Sequence, residues 1–213
     1  MRGGLLPTRD SRVIPLVPLP RMGHDLALQV MLTADQIRDR VGELAEEISA
    51  SYPSSRQPHL VSVLKGGFIF SADLIRALQR PVTIDFIEIG SYGTGTSSSG
   101  VVRLTKDLDT DIEGRDVLIV EDVVDTGQTL AWLLGTLRNR RPRSLRTVTL
   151  LEKTSRRIAW VEVEHVGFSI EDLFVVGYGL DHAEQYRQLP HVAILSQPGA
   201  VEGTVDPKTW RRV

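Results

Sequence analysis

Cysteine is absent from the 213 residues. That excludes disulfides, thiolate metal sites and cysteine nucleophiles, and it fits a reducing cytoplasm. No apolar run approaches the roughly 18 residues of a membrane-spanning helix. The first residues, MRGGLLPTRDSRVIPLVPLPRMGHDL, lack a continuous apolar core and a small-residue cleavage site, so they do not read as a signal peptide. An excess of one charge is also missing. Lys and Arg number 25, Asp and Glu 27, and the net charge is −2; a non-specific polyanion binder is usually strongly basic. The five His are scattered without ligand spacing, which argues against a His-rich zinc site. What remains is ordinary: 41% hydrophobic and 24% charged residues, neither disordered nor fibrous. The length suits one α/β domain with a lobe, or at most two small domains.

Residues 1–26 hold four of the eleven prolines and show no period, which reads as an extended N-terminal arm. A main domain over 27–197 and a loosely held tail over 198–213 follow. Ile37, Val41, Leu44 and Ile48 form one apolar stripe and predict a helix over 33–51. Thr33 and Gln36 supply a capping box at its start. Apolar strands then alternate with helices. Strands are expected at Leu60–Leu64, Val82–Ile89, Val117–Val120, Thr147–Leu151, Phe174–Val176 and Val192–Leu195. Helices are expected from Lys65-Gly66-Gly67 to about Gln79 and over Thr129–Arg138. This alternation predicts a doubly wound, mostly parallel sheet. Such sheets bind ligands beyond the carboxyl ends of their strands. The Gly/Ser/Thr-rich stretch Ser91–Gly100 reads either as a surface linker or as a flexible lid over a site.

The chemistry concentrates after Val117–Val120. Glu121, Asp122 and Asp125 fall where that strand ends, and Thr126, Gly127, Gln128 and Thr129 where a helix begins. Unpaired N–H groups and the helix dipole favour an anion there. Gly127 permits close backbone approach, and the threonines add hydroxyl donors, so a phosphate fits at 126–129. The carboxylates would repel that phosphate unless they serve another partner. Vicinal sugar hydroxyls suit Glu121 and Asp122, directly or through a cation. The plain alternative is a solvated acidic turn capped by Asp125 or Thr126.

Val120-Glu121-Asp122-Val123-Val124-Asp125-Thr126-Gly127-Gln128-Thr129 resembles the phosphoribosyl-diphosphate (PRPP) motif of type I phosphoribosyltransferases. The segments Val63–Phe68, Ser91-Tyr92-Gly93, Lys106–Asp109 and Phe174–Asp181, with Lys153, narrow the resemblance to the hypoxanthine-guanine phosphoribosyltransferases over about residues 28–195. The resemblance implies that fold, with a small hood lobe. It also implies Mg²⁺-dependent transfer of 5-phosphoribosyl from PRPP to hypoxanthine or guanine, in the cytoplasm, by a homodimer or homotetramer.

The resemblance further implies residue roles. Asp125 is the acid/base near purine N7. Residues 125–129 hold the 5′-phosphate, with Val124 counted among the substrate-binding residues, and Glu121 and Asp122 face the ribose and its cation. Lys65 and Gly66 contribute to the pyrophosphate site, at an unusual cis peptide. Ser91 and Tyr92 lead the lid. Lys153 contacts O6, Phe174 stacks on the base and Val175 reads its edge. Asp181 lies near Mg²⁺, and Arg187 contacts pyrophosphate. Gln128 departs from the Lys or Asn of many relatives, which touches its side-chain role only.

Other readings remain open from sequence. Lys153 is otherwise a solvated lysine, Phe174 a core residue, and Asp181 with Arg187 a surface ion pair. The basic run Arg138, Arg140, Arg141, Arg143 and Arg146 reads as charge compensation at a helix end. It is also the only support for an RNA-binding regulator built on the same fold. A transferase using xanthine or a pyrimidine is a third reading.

Overall fold

The structure, a computed structural model, describes residues 27–91, 102–196 and 209–213. The N-terminal arm 1–26, Tyr92 and most of the tail lie outside these residues. In chain order the elements are β1 (Ala27–Leu32), α1 (Ala34–Ser51), β2 (His59–Leu64), α2 (Phe68–Ala77), β3 (Thr83–Ser91), β4 (Val102–Lys106) and β5 (Asp116–Val124). They continue with α3 (Gln128–Arg138), β6 (Ser144–Glu152), β7 (His165–Ile170), β8 (Val175–Val176), β9 (Val192–Ser196) and β10 (Trp210–Arg212). A single 3₁₀ turn covers Thr154–Arg156.

The main sheet has the order β10-β7-β6-β5-β2-β3-β4. Its five inner strands, β7 to β3, run parallel. Successive side chains of a strand point to opposite faces, and the central strands β2 and β5 are apolar on both. Leu60, Leu118, Val120 and Val148 join the core beneath α1 and α2. Val61, Ile119 and Val63 join the core beneath α3. Helices cover both faces, as a doubly wound sheet requires. The stripe on α1 is buried as its spacing predicts, and the Thr33–Gln36 capping box forms in both directions. The smaller antiparallel sheet β1-β9-β8 makes the hood. Tyr178 ties the hood side of the chain to α2 by donating its hydroxyl to Asp73 at 2.6 Å.

Several boundaries differ from the sequence reading. β5 runs on through the acidic segment, because Glu121, Val123 and Val124 still pair with Thr149, Leu151 and Glu152 of β6. Glu121 and Asp122 are therefore strand residues, and only the stretch after Val124 is a turn. Phe174 falls outside β8. Four strands were not foreseen: β1, β4, β7 and β10. The tail is not loose throughout. Trp210 to Arg212 pair with β7, Trp210 meets Phe168 edge to face, and Arg212 contacts Glu43 at 2.7 Å.

The basic run is engaged within the chain. Arg140 pairs with Asp107, Arg141 with Glu113 and Arg143 with Asp116. Arg146 donates to the Ser51 carbonyl and lies over the Tyr52 ring.

Candidate active site

The site forms where β2, β5 and β6 end. After Val124 the chain turns through Asp125 and Thr126 into Gly127, which adopts φ +79° and is the N-cap of α3. The N-cap Gly127 has no side chain to cap α3; the Gln128 N–H meets the Thr126 hydroxyl only at 3.4 Å, and the start of the helix lines a pocket. Glu121, Val123, Val124, Asp125, Thr126, Gly127, Thr129 and Leu130 line that pocket. A side chain could not replace the hydrogen of Gly127. Its Cβ would fall 2.4 Å from the Ala159 carbonyl oxygen and 2.9 Å from Arg157 Nη1. The strap that crowds it is held by hydrogen bonds from Ile158 and Ala159 N–H to the Thr126 carbonyl.

Glu121 faces this pocket, whereas Asp122 packs against Gly66. A Cβ on Gly66 would overlap the Asp122 carboxylate, 1.6 Å from Oδ2. The Leu64–Lys65 peptide beside it is cis. Gly66 in turn abuts Gly179, whose own Cβ would lie 2.1 Å from the Gly66 carbonyl. Arg187 donates to the Gly179 carbonyl at 2.8 Å and pairs with Asp181 at 2.8 Å. Lys65 reaches the same group through Glu184, at 3.3 Å. Lys65, Gly66, Asp181 and Arg187 thus come together around Asp122. Glu184, which bridges Lys65 and Arg187, was missed in the sequence; only the fold brings it there.

Glu121 and Asp122 are costly neighbours. Desolvation raises the Glu121 pKa well above the usual carboxylate range, and Asp122 adds to it. Desolvation likewise pushes Asp122 up to about 6, against the opposing pull of the Val123 N–H and Arg187. Among the described residues no group of three or more acids or histidines is arranged to hold a metal by itself. Glu121, Asp122 and Asp181 therefore do not make a protein-only cage. They remain hard oxygen donors at the rim of a site whose acidic charge Arg187 and Lys65 offset only in part.

A second cluster lies beyond Asp125. Lys153 is 3.7 Å from the Asp125 carboxylate, and its side chain is only 9% exposed. It is therefore not a solvated lysine. Phe174 is 53% exposed, which removes the core reading. Its ring meets His182 edge to face at 5.5 Å. Val175 is buried in β8, opposite Ile194. Ser91, the first residue of the Ser91–Gly100 segment, pairs with Val102 of β4. The segment's interior, with Tyr92, lies outside the described residues, so lid and linker are not distinguished there.

Residues 31–183 match the phosphoribosyl transferase domain. The chain is 47% identical to a hypoxanthine-guanine phosphoribosyltransferase of Mycobacterium avium over 208 residues, 95% of this chain and 97% of that protein. It is 45% identical to that of Bacillus subtilis over 174 residues, 82% of this chain and 96% of the relative. A crystal structure of a hypoxanthine phosphoribosyltransferase from Staphylococcus aureus superposes with a TM-score of 0.76 at 42% identity, covering 81% of this chain and 92% of that one. The chain belongs to the hypoxanthine-guanine phosphoribosyltransferase family. Its members are transferases of the glycosyl-transferring kind. In this member of the family the two clusters described above meet at the β5–α3 turn, at opposite sides of the acids that follow Val120. No described helix is long and apolar enough to cross a membrane.

Proposed function

We propose that the protein transfers 5-phosphoribosyl from PRPP to N9 of hypoxanthine or guanine, releasing pyrophosphate in a Mg²⁺-dependent reaction of purine salvage. One observation supports this reading most: a nearly buried ammonium, Lys153, beside the Asp125 carboxylate at 3.7 Å, next to a turn that lines a pocket. The amides from Asp125 to Thr129 bind the 5′-phosphate. Glu121 and Asp122 engage the ribose hydroxyls, and their negative charge favours the cationic sugar that forms as pyrophosphate departs. Arg187 and Lys65 bind the departing diphosphate. Lys153 donates to the purine carbonyl O6, while Asp125 takes the N7 proton as the base becomes a nucleotide. Phe174 stacks on the ring.

Mg²⁺ suits Asp181 and the Glu121–Asp122 pair, since it is usually held by one or two carboxylates together with substrate phosphates. When bound it neutralises charge on the leaving diphosphate. Two desolvated acids with raised pKa values are what a site built for a cation or a diol contains before it is filled. The cysteine-free sequence suits work in the cytoplasm, and the family reading extends to a homodimer or homotetramer.

The test is turnover of hypoxanthine, guanine, xanthine, adenine and uracil with PRPP, with and without a chelator. Mg²⁺-dependent release of pyrophosphate with the first two alone is expected. Preference for xanthine or uracil overturns the assignment. Asp125→Asn is expected to lower kcat by roughly 10²–10⁴ with little change in the KM for PRPP; wild-type turnover removes Asp125 from the mechanism.

A further inference from the structure

The purine end holds two charged residues that this mechanism does not use. Asp125, Lys153, Asp172 and Arg156 form a closed ring of alternating charge. Lys153 Nζ lies 3.7 Å from Asp125 Oδ2 and 3.8 Å from Asp172 Oδ1. Arg156 bridges the same two acids from the other side, with Nη1 3.2 Å from Asp172 Oδ1 and Nε 3.1 Å from Asp125 Oδ1. The backbone fixes both cations to the phosphate turn. The Lys153 N–H donates to the Val124 carbonyl at 2.9 Å, and the Arg156 N–H to the Lys153 carbonyl at 3.3 Å.

The distances carry the argument. A free ammonium and carboxylate close to about 2.7–2.9 Å and satisfy each other. Here Lys153 stands beyond hydrogen-bond reach of either acid, balanced between them. Asp125 Oδ1 is buried and accepts no hydrogen bond among the described residues, so Arg156 holds it by charge alone. The ring is neutral as a whole, with two cations and two anions. Yet it leaves one set of ammonium donors and one carboxylate acceptor side by side and unspent.

That pair matches a 6-oxopurine. Its major-groove edge carries O6, an acceptor, next to N7. With a proton on N7, the edge presents an acceptor and then a donor, the complement of Lys153 followed by Asp125. Adenine presents an amino group in place of O6 and would face the ammonium with donors.

We propose that Asp172 and Arg156 are positioning residues of the purine site, which hold Lys153 and Asp125 apart so that the two address O6 and N7 rather than each other. This rests on the reading of Lys153 and Asp125 given above. Without Asp172, Lys153 moves onto Asp125. Without Arg156, Asp125 moves onto Lys153. Either collapse spends the recognition pair before the base arrives.

Asp172→Asn, Arg156→Ala and Arg156→Lys in the full chain test this. Both sites are half exposed, so folding should survive and thermal melting can verify it. Asp172→Asn and Arg156→Ala are expected to raise the KM for hypoxanthine about tenfold and to narrow its preference over adenine, with the KM for PRPP within about twofold. Arg156→Lys, which keeps the charge, should recover most of the loss. A purely structural role would lower the active fraction, reducing kcat with every base while leaving both KM values alone. That result overturns the proposal, as does a rise in both KM values together. If the unaltered protein binds PRPP by calorimetry but turns over no 6-oxopurine, the reading of Lys153 has failed and this proposal falls with it.

Discussion

Two pairs of acids on the main sheet live under opposite electrostatics. Asp85 and Asp116 lie towards the amino ends of β3 and β5 and are 5% and 7% exposed. Both are satisfied. Asp85 accepts N–H bonds from Phe86, Asp109 and Thr110 and lies 3.7 Å from Lys106. Asp116 meets Arg143 at 3.1 Å and the Ser144 hydroxyl at 2.8 Å. Glu121 and Asp122 occupy the other end of β5 with far less help. Burial by itself would raise the Asp85 pKa, but its backbone donors and Lys106 outweigh that and hold it below the usual value. For Asp122 burial wins, and the pKa climbs to about 6. A buried carboxylate with its full set of donors belongs to the fold. One without them is a standing cost that only a ligand removes.

The largest effect should come from disturbing the ligand-facing pair through the backbone. Gly66→Ala drives a methyl group into the Asp122 carboxylate. Misplacement by about an ångström typically costs a hundredfold, so kcat/KM should fall at least that far while the α1 core keeps the fold intact. Activity near wild type would mean that Asp122 need not sit where it does.

Next in size, Asp85→Asn should destabilise the protein by about 1–3 kcal/mol, because amide hydrogens then face backbone N–H groups. Turnover per folded molecule should be retained, as denaturant melts and an active-site titration would show. Asp122→Asn should do the reverse at neutral pH. It removes a desolvated charge and should raise the melting temperature of the ligand-free protein by about 2–4 °C, with PRPP affinity lost in calorimetry. A fall in melting temperature would erase the contrast between the pairs.

The smallest effect is in the pH profile. Asp122 in the folded chain keeps its proton up to about pH 6, whereas its ordinary value is 3.8. The folded state therefore binds the extra proton, and this group makes stability fall as pH rises from about 4 to 6. Asp85 acts in the opposite direction. Its contribution is present above its ordinary value of 3.8 and disappears as pH drops through its lower folded value. Melting curves of Asp122→Asn should show a weaker first slope between about pH 4 and 6, Glu121 keeping its own share, and an unchanged second slope below 3.8.

Most of the architecture was legible because the central strands β2 and β5 carry continuous apolar runs, and because α1 announces its start with Thr33 and Gln36. Three of the strands that escaped notice, β1, β4 and β10, lie at margins; the fourth, β7, is an inner strand whose apolar Val166, Phe168 and Ile170 alternate with His165, Gly167 and Ser169. β4 reads Val-Arg-Leu-Thr-Lys, β10 is three residues of Trp and Arg, and both take their identity from a partner rather than from a pattern. In the site, residues contiguous along the chain, Glu121 to Thr129, could be read together. Arg156, Asp172 and Glu184 could not. Each is a charged residue in a polar stretch, and only the docking of the strap after β6 and of the loops around β8 gives it a partner. The reach of β5 through its acids was misjudged for a related reason. Carboxylates suggest a turn, but the backbone beneath them keeps pairing with β6.

The antiparallel strands that flank the parallel sheet have a consequence for solubility. An unpaired β7 would display a row of amides and carbonyls able to recruit a strand from another molecule. β10 occupies that row, and Arg40 anchors it by donating to the Val213 carbonyl at 2.6 Å while its other donors reach Val166 and Gly167. Cleavage ahead of Trp210 would peel away this cover and leave a sticky border, so the chain's last few residues guard against aggregation from a position remote from the chemistry.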